Sequence, residues 1–253
     1  MPAELKALIW DVDGTIAETE RDGHRVAFNR AFEALGLRWH WSVQDYGPLL
    51  NVAGGRERIL HDMVQRADSP ASVAERDALA RELHRRKNAI YAELVDQGAI
   101  QARPGVLRLM DECEAAGVRL AIATTTSGSN VRALFARLFG APWRERFAVL
   151  ICAEEAPVKK PDPLAYQLTL QALDMAAREA FALEDSPNGL QAARRAGIAC
   201  GVTRSAYFAN ADFSGAAWVR DDLDAKPSMT LARLREAVSV NIRGTTDSQP
   251  TPS

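Results

Sequence analysis

Cysteine is scarce in this chain. Cys113, Cys152 and Cys200 are three in 253 residues, odd in number and widely spaced. They form no CxxC pair and no Cys/His cluster, so a zinc site is excluded, and idle thiols in a reducing compartment are the reading left. Long apolar runs are missing too, which excludes a membrane-spanning bundle. Neither sign of charge dominates: Lys+Arg 31 against Asp+Glu 33 gives −2, interspersed along the chain. Nothing global therefore argues for a nucleic-acid partner or an anionic membrane. The start, MPAELKALIWDVDGT, does not read as a signal peptide, because its short apolar stretch runs straight into acids. A cytoplasmic protein is expected. There is no internal repeat. What is present is the balance of a soluble globular protein, 47% hydrophobic and 25% charged, long enough for one large domain or two modest ones.

The first strong element lies in residues 5–10, where Ala7, Leu8, Ile9 and Trp10 run together. Such runs suit strands buried on both faces of a parallel sheet. This one stops at Asp11-Val12-Asp13-Gly14-Thr15. The section that follows, residues 18–98, reads as helical. Phe28, Ala31, Phe32 and Leu35 share a helix face that Gly36 ends; Ile59, Leu60, Met63 and Val64 form a second stripe; Leu79, Leu83, Ile90 and Leu94 form a third, on a long helix opening near Ser72. From Pro104 onward helix and strand alternate, with strands expected over 119–123, 148–152, 180–183 and 199–202 and an edge strand over 217–219. The prediction is an α/β fold: a Rossmann-like, doubly wound parallel sheet built from residues 1–17 and 99–240, with residues 18–98 inserted as an all-helical cap domain. Residues 241–253, polar and with two prolines at their end, are expected to be a disordered tail.

In an open parallel sheet, ligands bind beyond the carboxyl ends of the strands. Those ends here supply Asp11 and Asp13, then Thr124 to Ser127, then Lys159-Lys160-Pro161, then Glu184 and Asp185. Carboxylates that converge need a cation or must hold a proton. All-oxygen donors with no His or Cys favour Mg²⁺, which commonly shares its site with phosphates. Lysine and threonine beside that ion suit phosphoryl oxygens. Asp11 and Asp13 lie two residues apart, so in extended chain they face the same side, one placed for attack and the other for proton transfer. As a calcium loop the segment is poor, because Thr15-Ile16-Ala17 supplies few oxygens. Thr/Ser runs also cap helices, and Ser129 or Asn130 is expected to do so, leaving Thr124 as the phosphoryl donor. Lys159 competes with Lys160, and Asp185 with an N-cap role.

These residues resemble the haloacid-dehalogenase (HAD) superfamily of phosphotransferases. Its four motifs are matched by DVDGT at 11–15, by Thr124, by Lys160-Pro161 and by LEDSPNG at 183–189. The resemblance covers nearly the whole chain. It implies Asp11 as nucleophile, Asp13 as general acid/base, and Mg²⁺ held by Asp11, the Asp13 carbonyl and Asp185, with Glu184 supporting. Thr124 and Lys160 would bind the transferring phosphoryl. Dehalogenases lack the second Asp, so Asp13 argues for phosphoryl transfer.

Trp39-His40-Trp41, Tyr46 and Gly54-Gly55-Arg56-Glu57-Arg58-Ile59, with ATTTS at 123–127 and KKP at 159–161, are similar to the CbbY group. That group contains phosphatases that remove the 1-phosphate of xylulose-1,5-bisphosphate. The neighbouring group is β-phosphoglucomutase, and the stretch between Glu18 and His24 is about one residue longer than its pattern. A bisphosphate needs a second anion site. Arg56 follows two glycines at a helix start, where backbone N–H groups and a guanidinium can meet a phosphate. Lys87 falls at the apolar stripe, where a charge is normally avoided. Both positions match phosphate-binding residues of the mutase group. Glu18 would accept from sugar hydroxyls, and His24, Thr125 and Thr126 complete the candidate substrate-binding set. Trp39, Trp41 and Tyr46 read as cap core. The expected function is a Mg²⁺-dependent sugar-phosphate phosphatase. The alternatives are a phosphoglucomutase, a phosphatase of another phosphosugar or phosphoglycolate, and a non-catalytic phosphosugar binder. The expected partner is a small phosphorylated sugar, with no nucleic acid and no membrane, and the chain is expected to be a monomer.

Overall fold

A computed structural model describes residues 4–246, with side chains through Val238. Strand β1 (Ala7–Trp10) is buried at every position, as its unbroken apolar run requires. After a tight turn and one turn of wide π-helix (Glu20–His24), the chain enters α1 (Arg25–Ala34), α2 (Val43–Leu49), α3 (Gly55–Gln65) and the long α4 (Val73–Asp96). Ser72 caps α4 in a reciprocal capping box with Glu75. Ser42 and Asp45 do the same for α2, a helix too short for the apolar-stripe reading to mark. Alternation then sets in: α5 (Val106–Ala115), β2 (Arg119–Ala123), α6 (Gly128–Phe139), β3 (Phe147–Ile151), α7 (Leu164–Leu173), β4 (Ala180–Glu184), α8 (Pro187–Arg195), β5 (Ala199–Thr203), β6 (Trp218–Arg220) and α9 (Leu231–Thr246).

The strands pair in the order β3-β2-β1-β4-β5-β6, all parallel. This is the doubly wound, Rossmann-like order, and the chain crosses from one side of β1 to the other between β3 and β4. A crevice therefore opens beyond the carboxyl ends of β1 and β4. The two sheet faces differ in bulk. Leu8, Trp10, Ile122, Phe181 and Leu183 pack on one face under α5, α6 and α9. Ala7, Ala121, Ala123, Ala180 and Ala182 line the other, and their small side chains admit Tyr166 and Leu170 of α7 and Leu190 of α8 close to the strands. Each large apolar side chain fully buried in this way contributes about 1.5–3 kcal/mol. A third cluster, with Phe28, Phe32, Trp39, Trp41 and Tyr46, is drawn from the section between β1 and β2, with Tyr207 and Phe208 packed against it. The Trp39 and Trp41 indole N–H groups donate to Asp68 (2.9 Å) and Asp62 (3.0 Å), so both rings are fixed as packing rather than offered to a ligand.

Two expectations about local structure need correction. Ser127, not Ser129 or Asn130, is the N-cap of α6, because its hydroxyl lies three residues ahead of the Asn130 N–H it accepts at 3.4 Å. Helix α9 continues to Thr246, so residues 241–246 of the expected tail are helical backbone. The rest of that tail, residues 247–253, lies outside the described residues.

Candidate active site

Four strand ends meet at the crevice. Asp11 follows β1, and its N–H still donates to Leu183 of β4 at 3.0 Å. The chain stays extended for two more residues, so Asp11 and Asp13 face one cavity while Val12 between them joins the core. Gly14 then turns the chain at φ +85°, and a Cβ there would collide with the Asp185 carboxylate. From the loop before α7, the Lys160 ammonium donates to Asp11 Oδ1 (2.7 Å), Glu184 Oε1 (2.6 Å) and the Ala123 carbonyl (2.8 Å). Lys159 points elsewhere, reaching only the Ala153 carbonyl at 3.5 Å. Ser186 takes the cap of α8 and accepts from Gly189 at 3.1 Å, which leaves Asp185 free of that duty. Thr124 is buried beside Asp11, and its hydroxyl accepts from the Thr126 N–H at 3.3 Å.

Sequence reading missed Tyr166. It looks like a core position of α7, yet its hydroxyl donates to Glu184 Oε1 at 2.5 Å. Glu184 is thus fully buried between Tyr166 and Lys160.

Asp11, Glu184 and Asp185 each present an oxygen within 4.8 Å of the others. Burial pushes Asp11 up to about 8; Lys160 pulls it down, and Glu184 and Asp13 add to the rise. Burial, with Asp11 and Glu184, raises Asp185 well above the usual carboxylate range. For Lys160, burial opposes the charge, but Asp11 and Glu184 outweigh it and hold the ammonium above its ordinary value. Three buried carboxylates with one ammonium leave a surplus of negative charge. An oxygen-only donor set of that kind fits a hard divalent cation.

Asp13 sits in different surroundings. Thr19 donates to its Oδ1 at 2.5 Å, and His24 Nε2 lies 3.0 Å from the same oxygen. Burial alone would raise Asp13, but His24, Thr19 and Lys87 outweigh it and hold the carboxyl below its usual range. His24 closes the wide turn, and from there its imidazole reaches Asp13. Tyr91 lies against the imidazole, ring centroids 4.2 Å apart.

Two cavities adjoin here. The inner one, about 70 Å³, is lined by Asp11, Thr124, Lys160 and Asp185. The outer one, about 210 Å³, is lined by Arg56, Lys87, His84, Thr126 and Lys159. Asp13, Glu20, Arg58 and Thr125 belong to both. Lys87 does not reach out to solvent. It is buried over the rings of Phe28 and Tyr91, each 5.2 Å from Nζ, and burial lowers its pKa to about 8. Arg56 is half-exposed and ion-paired with Asp77. Glu18 lines neither cavity: its Oε1 accepts from the Ala206 N–H at 3.1 Å and lies 3.8 Å from Arg103 Nε. The carboxylate that faces the cavities is Glu20, held by the Tyr46 hydroxyl (2.6 Å) and the Arg58 guanidinium (3.2 Å). Glu20 has no reading in the sequence, and Arg58 stands there only as part of the motif at residues 54–59.

The haloacid dehalogenase-like hydrolase family matches residues 5–197 of the chain. Protein CbbY of Rhodobacter capsulatus is 43% identical over 231 residues, covering 91% of this chain and 99% of that protein. The crystal structure of CbbY from Rhodobacter sphaeroides with phosphate superposes with a TM-score of 0.80 at 42% identity, over 86% of this chain and 94% of that one. A mutant of the same protein, solved with xylulose-(1,5)bisphosphate, gives a TM-score of 0.81 over the same shares. By sequence and by fold, the chain belongs to the haloacid dehalogenase-like hydrolases, in their CbbY group, and is a phosphoric monoester hydrolase.

Proposed function

We propose that the protein is a Mg²⁺-dependent phosphatase of a small sugar bisphosphate, removing the 1-phosphate of xylulose-1,5-bisphosphate. The observation that carries this is the pair of adjoining cavities. The inner one gathers Asp11, Thr124, Lys160 and Asp185, the outer one sets Arg56, Lys87 and Lys159 around the single further carboxylate of Glu57, and Asp13, Glu20 and Arg58 stand between them. The xylulose-(1,5)bisphosphate complex of the CbbY relative supports the same substrate class.

Asp11 attacks phosphorus, the bond from phosphorus to the sugar oxygen breaks and an aspartyl-phosphate forms; Asp13, ionised in the free site, takes up one proton from solvent as the phosphate charge enters the cavity and gives it to the leaving sugar oxygen. Asp13, deprotonated by that step and kept ionised by His24 and Thr19, then takes a proton from water as it attacks the acyl phosphate. Lys160 and Thr124 hold phosphoryl oxygens. Asp11, Asp185 and the Asp13 carbonyl would hold Mg²⁺, with Glu184 behind them, and an ion held there would supply positive charge against the phosphoryl oxygens. Residues 18–98 act as the cap over a core of residues 1–17 and 99–240, and Arg56 and Lys87 take the distal phosphate.

A phosphate-release panel with Mg²⁺ tests this. It compares xylulose-1,5-bisphosphate, ribulose-1,5-bisphosphate, fructose-1,6-bisphosphate, phosphoglycolate and β-glucose-1-phosphate, the last also assayed for isomerisation. Xylulose-1,5-bisphosphate is expected to give the highest kcat/KM. Arg56→Ala should raise KM for the bisphosphates about 10-fold or more while changing the monophosphates about 2-fold at most. Turnover of β-glucose-1-phosphate to its isomer in preference to phosphate release would refute the phosphatase reading.

The raised carboxylates give a second check on the metal. Asp11 stands at 3.8 in the unfolded chain and about 8 in the folded one. Between those values the folded state holds a proton that the unfolded state has lost. Metal-free stability should therefore fall as pH climbs through that window. Mg²⁺ binds the deprotonated set, so the rise in Tm it causes should be small near about pH 5 and large near about pH 8. Melting curves with chelator and with excess Mg²⁺ measure this, and an equal rise at both pH values would remove the acidic cluster as the metal site.

A further inference from the structure

Arg103 is a buried cation that lines neither cavity. It stands where the chain returns from the helical section. Its N–H donates to the Ile16 carbonyl at 2.8 Å, next to the Ala17–Ala102 bridge. Its guanidinium donates to the Gly14 carbonyl, to the Thr203 carbonyl (3.0 Å) and hydroxyl (3.2 Å), to the Arg204 carbonyl (2.5 Å) and to the Asp221 carbonyl (2.6 Å). The only carboxylate paired with it among the described residues is Glu18, at 3.8 Å. A buried guanidinium served mainly by carbonyl oxygens costs desolvation that no close ion pair offsets, so its worth lies in what the fork holds together.

What it holds together is the surroundings of Asp185. Gly14 lies against the Asp185 carboxylate so closely that a Cβ has no room. On the other side Ser205, which directly follows Thr203 and Arg204, faces the same carboxylate. One guanidinium therefore fixes both backbone segments that enclose Asp185.

We propose that Arg103 is a positioning residue for the metal site: it clamps Gly14 to the 203–205 segment and so keeps the Asp185 carboxylate aimed, with Asp11, at one divalent cation. This rests on the Mg²⁺ phosphatase reading above. The sign of the effect separates clamping from charge. A positive group near a cation site repels the cation, so if Arg103 acted by charge alone its removal would tighten Mg²⁺ binding. Loss of a clamp weakens binding whether or not the charge is kept. Lysine keeps the charge but has three donors and no planar fork for these acceptors.

The experiment titrates MgCl₂ against wild type, Arg103→Lys, Arg103→Met and Thr203→Val, reading Tm and, separately, phosphate release. Both Arg103 variants should need about 10-fold more Mg²⁺ for half-maximal stabilisation and for half-maximal rate. KM for the sugar phosphate at saturating Mg²⁺ should stay within about 2-fold, and excess Mg²⁺ should restore most of kcat. Thr203→Val removes one acceptor at constant shape and should shift the Mg²⁺ midpoint the same way by about 2- to 3-fold. It decides the matter if the Arg103 variants do not fold. Unchanged midpoints in Arg103→Lys and Thr203→Val, or a tighter one in Arg103→Met, overturn the proposal. A wild type that neither gains stability from Mg²⁺ nor releases phosphate overturns the phosphatase reading itself, and the clamp with it.

Discussion

Asp11→Asn should abolish phosphate release, by roughly 10⁴-fold or more, while leaving a protein at least as stable as wild type in the absence of metal. The two halves of this result come from the same geometry. An amide is a poor nucleophile, so no aspartyl-phosphate forms. The amide nevertheless fits the site. Its Oδ1 still accepts from Lys160, as the carboxylate does at 2.7 Å, and its NH₂ group can donate to the Thr15 hydroxyl, which lies 3.4 Å from Asp11 Oδ2. Removing the charge also relieves repulsion from Glu184 and Asp13, which with burial pushes the Asp11 carboxyl up to about 8. Phosphate release, mass spectrometry of the intact protein after substrate is added, and metal-free Tm measure the three consequences. Mg²⁺-dependent turnover retained by purified Asp11→Asn would remove Asp11 as the attacking group. A large drop in metal-free Tm would show that the buried charge stabilises the fold.

The residues that could be read from the sequence are those whose surroundings are local or dictated by sheet topology. Asp11 and Asp185 each follow an apolar run buried on both faces, and parallel order brings such strand ends together whatever the loops do. Lys160 is fixed by its place before a proline at a strand outlet. The residues whose roles were not read from the sequence are paired across long stretches of chain. Arg58 meets Glu20 and Tyr46 from another helix, Tyr166 meets Glu184, and Arg103 meets Gly14, Thr203 and Asp221. On its own segment each looks ordinary: a solvated charge, a core aromatic, a lysine-like surface cation. Glu18 shows the converse error. Proximity in sequence to Asp13 suggested a sugar contact, but Glu18 is turned to the Ala206 N–H and Arg103, and Glu20 lines the cavities instead. Nearness along the chain is visible in a sequence; which of two nearby carboxylates faces the cavity is not.

The surplus of buried negative charge also sets the second large effect, that of Lys160→Met. The Lys160 ammonium is 6% exposed and serves Asp11 at 2.7 Å and Glu184 at 2.6 Å. Methionine fills a similar volume over the Tyr166 ring, 5.0 Å from the present Nζ, but leaves both carboxylates without their cation. Breaking a buried pair from one side costs about 3–5 kcal/mol, which for a chain of this size lowers Tm by roughly 6–20 °C. The loss should be greatest near about pH 8 and shrink in mild acid, where the carboxylates take up protons instead of standing charged and alone. Activity should fall about 10³-fold, because the phosphoryl group loses a charge partner and the attacking carboxylate is held protonated. Lys159→Met is the control. That ammonium reaches only a carbonyl at 3.5 Å, so stability should change by less than about 1 kcal/mol. Equal losses of Tm in the two variants would mean that adjacency in sequence, and not contact with Asp11 and Glu184, accounts for the effect. A Lys160→Met protein with the stability of wild type would mean that the acids are neutralised in some other way.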